Sequence, residues 1–153
     1  MRQRRKAREV ALQVLYELDV LKVDVNEAVD LFWENFDAPE EARLFSCLLI
    51  EGTWQNIEEI DSLISSCSEN WSIARMSKVD RSILRMAVFE LLYCRDIPPK
   101  VTLNEAIDLG KVYGSENSGS FINGILDALY GKLRKQEQEG EQDSLSMAGQ
   151  GEP

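Results

Sequence analysis

The sequence predicts an all-α fold, and three observations predict it. Apolar residues recur three and four apart over long stretches, no segment alternates apolar and polar like a half-buried strand, and prolines stand only at positions 39, 98, 99 and 153. At 153 residues the chain makes one domain or two small halves sharing a core, and an apolar content of 44% is enough to fill it.

The first helix spans residues 4–20, where Ala7, Val10, Ala11, Val14, Leu15 and Leu18 fall on one face. A second covers residues 25–35. The third opens at "DAPEE": Asp37 can cap it, Pro39 suits its first turn, and Glu40 completes a capping box. Its apolar pattern runs through Leu44, Phe45, Leu48, Leu49, Trp54, Ile57, Ile60 and Ile64 as one long helix. Gly52 lies inside it. An interior glycine costs roughly 1 kcal/mol against alanine, so this one marks close helix packing or a kink.

"SENWSIARMSKVD" breaks the pattern, with room for one short helical turn. Ser77 then caps a helix, with Asp80 three residues on. "VDRSILRMAVFELLYC" is apolar on most sides, as expected of the central buried helix, and "RDIPPK" ends it. Thr102 and Glu105 make the next capping box, before a short helix that Gly114 stops. The last helix starts between Ser118 and Ser120 and runs to about Arg134. Residues 136–153 are polar, glycine-rich and acidic, and read as a disordered tail.

Composition narrows the function. The chain has no histidine, which excludes Cys-His and Ser-His pairs, and its carboxylates fall on exposed helical faces at solvating spacings. We therefore expect no enzyme, no cofactor and no metal site. Cys47, Cys67 and Cys94 are odd in number, widely spaced and set in helical patterns, and read as buried free thiols of a cytoplasmic protein. No apolar run is long enough for a membrane span, and the basic N-terminus lacks the apolar stretch of a secretory signal.

The net charge of −10 argues against a polyanion partner, but its distribution argues for one. "MRQRRKAR" carries Arg2, Arg4, Arg5, Lys6 and Arg8 and no acid, whereas the stretch from Gln136 onward carries five acids and no base. Local field decides where a polyanion lands. Positive charge at a helix N-terminus opposes the macrodipole, so helix stability does not explain the placement. A solvated basic terminus is one explanation. A phosphate-backbone contact is the other, and arginine suits it because its planar fork matches phosphate and stacks on bases.

"GSENSGSFINGIL" has the outline of a phosphate-binding loop, with Gly114 and Gly119 five apart. A nucleotide loop needs lysine and a hydroxyl residue next, where this chain has Ser120 and Phe121, and it follows a strand, where this segment follows a helix. What remains is either plain punctuation or a helix N-terminus open to a phosphate from outside. Phe121 is either core or, if exposed, a stacking platform for an unpaired base.

Four separated blocks now carry a resemblance. "RRKAREVALQVLYELD", "MSKVDRSILRMAVFELL", "IPPKVTLNEAIDLGKVYG" and "SENSGSFINGILD" resemble the NusB family of bacterial transcription antitermination factors, in consistent order from about residue 4 to 133. The resemblance implies about seven helices in two packed subdomains, about 1–69 and 70–135. It also implies binding of boxA-type single-stranded RNA of ribosomal-RNA transcripts, jointly with the ribosomal protein that doubles as NusE. The complex would help RNA polymerase resist termination. Carried over by position, Arg2, Arg4, Arg5 and Arg8 would form an RNA surface, Asp80 and Arg85 would join it, and Asn117 and Phe121 would touch RNA. Asp80 would also face NusE. The family often has aspartate where this chain has Asn117, and an amide removes a charge that repels phosphate. Self-association through the first helix would hide that surface, so a homodimer stays open. Two alternatives also stay open. A NusB-like domain fronts some RNA cytosine methyltransferases, although this chain shows no glycine-rich cofactor loop. A protein-interaction scaffold could use the basic helix without RNA.

Overall fold

The computed structural model describes residues 2–35, 38–69 and 71–150, and among them it is all-α. Seven α-helices follow one another: α1 Arg2–Leu21, α2 Val25–Asn35, α3 Glu40–Gln55, α4 Ile57–Cys67, α5 Lys78–Tyr93, α6 Pro99–Tyr113 and α7 Ser118–Gln150. A single 3-10 turn, Ile73–Arg75, lies between α4 and α5.

α5 is the hub. It packs on α1, α3, α4, α6 and α7. Ile83, Leu84, Met86, Ala87, Val88 and Phe89 are all buried, which explains a sequence apolar on most sides. The six apolar residues expected on the inner face of α1 are likewise buried. One continuous core joins these residues to Leu49 and Ile50 of α3, Ile60 and Ile64 of α4, and Ile122, Ile125, Leu126 and Leu129 of α7. A fully buried aliphatic side chain contributes about 1.5–3 kcal/mol each, so this cluster dominates the stability of the fold.

The third expected helix divides in two. The break falls at Asn56, whose side-chain amide donates to the Gly52 carbonyl at 2.7 Å. That bond takes up a backbone acceptor at the end of α3, and α4 starts at the next residue. Gly52 is the close-packing position. A Cβ there would overlap the Phe89 ring.

Several caps differ from expectation. Asp37 lies outside the described residues. Pro39 is the N-cap of α3 and makes no side-chain cap bond. α6 begins at Pro99, so Thr102 is inside it, and its buried hydroxyl donates to Glu90 at 3.3 Å instead of capping. Pro99 at the first helical position explains the earlier start, since its missing N–H needs no partner there. Ser77 does cap α5, accepting from the Asp80 backbone N–H at 3.1 Å. The Asp80 carboxylate does not complete the box, and its Oδ1 is buried with no hydrogen-bond partner. α7 passes the expected end at Arg134 and continues to Gln150, so no break in secondary structure marks the start of the acidic segment. The thiols are free, and only Cys94 is fully buried; burial pushes its pKa up to about 11.

Candidate nucleic-acid interface

The arginines of α1 separate into two kinds. Arg4 and Arg5 are about half exposed. The Arg4 guanidinium lies 5.1 Å over the Phe45 ring and 3.5 Å from Asp96. Arg5 makes a two-pronged contact with Glu105 of α6, at 3.1 and 3.0 Å, and a longer one with Asp108 at 3.4 Å. The hydrogen bond to Glu105, and then its charge, raise the Arg5 pKa further. Both arginines line a groove of about 480 Å³ with Ile97, Pro98 and Val101.

Arg8 is different: the sequence groups it with the exposed arginines, and the structure buries it. It is 3% exposed and donates twice to the equally buried Glu90, at 3.0 and 2.7 Å. Its position was legible: Arg8 precedes Ala11, Leu12 and Leu15 by three, four and seven residues, which is the buried stripe of α1. Arg85 is also buried. It is 9% exposed and forked onto Asp61 of α4 at 2.8 Å on both prongs, with Asp19 of α1 at 3.5 Å. Arg81 donates to Asp19 as well. These pairs clamp α1, α4 and α5 together and leave no free fork for phosphate. The Arg2 side chain lies outside the described residues.

The other expected residues do converge. Asp80, Asn117 and Phe121 line one groove of about 380 Å³, together with Trp71, Arg75 and Ser115. The loop before α7 is shaped by Ser118, whose buried hydroxyl accepts from the Ser115 N–H at 2.8 Å. Gly114 is required next to it, because a Cβ there would overlap the Ser118 side chain. Phe121 answers both alternatives: it is half-buried against the core and its edge reaches the groove. The Trp71 ring meets it at 6.3 Å and nearly at right angles.

Trp71 and Arg75 were missed. They belong to a segment read only as a break, yet a tryptophan outside any apolar period is itself a signal, and this one is 51% exposed. A third recess is lined by Lys6, Glu9, Gln13 and Tyr16 of α1, Val79 of α5 and Tyr113 of α6. Exposed arginines of α1, exposed tyrosines of α1 and α6, and a tryptophan–phenylalanine pair formed by the segment before α5 and the start of α7 thus line three separate recesses. Cations interleaved with aromatics suit a single strand, whose phosphates take the cations and whose bases stack.

The family model described as NusB family matches residues 5–131. Transcription antitermination protein NusB of Syntrophus aciditrophicus (strain SB) is 70% identical over 141 residues, covering 92% of this chain and 88% of that protein. Among solved structures, T. maritima NusB superposes with a TM-score of 0.76 at 39% identity, over 84% of this chain and 90% of that one. A chain from a complex of antitermination factors NusB and NusE with dsRNA superposes with a TM-score of 0.78 at 34% identity, over 86% and 98%. The chain belongs to the NusB family.

Proposed function

We propose that this protein is a transcription antitermination factor that binds boxA-type single-stranded RNA of ribosomal-RNA transcripts together with NusE, and so supports RNA polymerase processivity. The observation that carries this is the pairing of exposed Arg4 and Arg5 at one groove with the exposed Trp71 and the half-buried Phe121 at another. Arginines supply salt-sensitive attraction, while the groove engages unpaired bases. The solved complex with NusE and dsRNA supports the choice of partners.

Arg4 and Arg5 are the phosphate contacts. Arg8 and Arg85 hold the helices that present them, through Glu90 and through Asp61 and Asp19. Asn117 and Phe121 contact RNA, and Asp80 serves RNA and NusE together. The protein partner enlarges the surface and makes specific binding a joint event.

The test is fluorescence anisotropy of a labelled boxA-type RNA and a scrambled control, each titrated with the protein, with and without NusE. Preferential binding that tightens with NusE is expected. Capture of NusE with no RNA contribution would leave a protein scaffold in its place.

A further inference from the structure

We propose that the groove lined by Trp71 and Phe121 is a single-nucleotide pocket selective for an unpaired guanine, whose Watson–Crick edge donates to the Asp80 carboxylate. This rests on the RNA-binding function proposed above and adds to it which base is selected and by which residues.

Asp80 is the starting point. Only 8% of it is exposed, and its Oδ1 has no hydrogen-bond partner among the described residues. The capping-box bond that would satisfy it, from the Ser77 N–H, is not made. An unpaired carboxylate oxygen is costly, and Asp80 lines the groove, so its carboxylate gains from a donor that a ligand brings there. The walls of the groove define that donor. Trp71 and Phe121 offer apolar ring surface to a flat, aromatic ligand. Arg75 is exposed at the rim and pairs with no carboxylate among the described residues, so it is a free cation for the phosphate attached to such a ligand. Asn117, also exposed, adds a side chain that both donates and accepts.

The bases differ in what they show a carboxylate, which can only accept. Uracil presents one ring N–H flanked by two carbonyl oxygens that repel it. Adenine and cytosine present one amino group beside a ring-nitrogen acceptor. Guanine presents its ring N–H and its amino group side by side, two donors that converge on one carboxylate. A protein partner's arginine offers a similar fork, but Arg75 at the same rim repels a second cation while attracting a nucleotide's phosphate.

The experiment uses three labelled oligouridines, carrying one central guanosine, one central inosine, or neither, titrated with the full-length protein at low salt. Inosine keeps the ring N–H and lacks the amino group. The guanosine strand should bind about tenfold more tightly than the other two. Asp80→Ala and Asp80→Asn should both abolish that preference, and Trp71→Ala should weaken it. Circular dichroism confirms the variants are folded. Arg4→Ala/Arg5→Ala should weaken all three strands alike and keep the ratio. Equal affinity of the wild-type protein for the three strands overturns the pocket while leaving RNA binding standing. So does a guanosine preference that survives in Asp80→Ala, or a loss confined to NusE capture. Absence of salt-sensitive binding to any strand overturns the RNA function and the pocket with it.

Discussion

Arg8 of α1 and Glu90 of α5 face each other across the core through two hydrogen bonds, at 3.0 and 2.7 Å, with almost no exposure of either. Arg8 reads from the sequence as part of a basic terminus, and in the fold it is half of a buried clamp. Thr102 adds a third hydrogen bond to it, from α6. Three helices therefore meet on one buried carboxylate.

Breaking that clamp from one side leaves an uncompensated buried charge. Arg8→Ala should lower stability by about 3–5 kcal/mol in urea unfolding, and Glu90→Leu by a similar amount. The double change Arg8→Met/Glu90→Leu should be much milder than the sum, because no lone charge remains. RNA affinity of the folded fraction should change little in the double variant.

Arg5 is already occupied by Glu105 and Asp108, so a phosphate must displace carboxylates to reach it. Glu105→Gln should therefore raise RNA affinity severalfold at low salt, and the gain should shrink as salt rises. Anisotropy titrations at two salt concentrations check this. Unchanged affinity would mean that Arg5 stays with α6 in the complex.

The salt dependence itself counts phosphates. Phosphate contacts at Arg4 and Arg5 contribute about −1.4 to the log-log slope on a single strand, so Arg4→Ala/Arg5→Ala should flatten it by about that much. A slope unaltered by that change would place the phosphates elsewhere on the molecule.

Asn117 stands exposed at the aromatic groove, at the residue before α7 begins. Asn117→Asp brings in a negative charge beside the path of the RNA backbone. RNA binding should weaken, most visibly at low salt, and equal affinity there would remove the idea.

Gly52 is set against the ring of Phe89, itself 4% exposed. Gly52→Ala should cost about 1–3 kcal/mol despite the better helix propensity of alanine. Combining it with Phe89→Leu should recover part of the loss, which thermal or urea unfolding would show.

Local patterns made most of the fold legible. The inner face of α1, the central burial of α5 and the Ser77 cap all follow from periodicity and capping rules that act within a turn or two. What failed depended on distance in sequence. Arg8 finds Glu90 across 82 residues, and Arg85 finds Asp61 across 24, and neither pairing has a local trace beyond the apolar stripe that each arginine interrupts. The division between α3 and α4 was hidden for another reason: apolar spacing continues through it, and only the Asn56 amide competing for the Gly52 carbonyl marks the turn. At the candidate site, Asp80, Asn117 and Phe121 came from resemblance, while Trp71 and Arg75 emerged only when the segment before α5 folded against the start of α7.

The most direct test of the central claim is ultraviolet crosslinking of a boxA-type RNA to the protein in the presence of NusE, with the linked peptides identified by mass spectrometry. The account predicts crosslinks at Trp71 and Phe121. Crosslinks confined to the exposed face of α3 around Leu44 and Leu48, with none at Trp71 or Phe121, would contradict it.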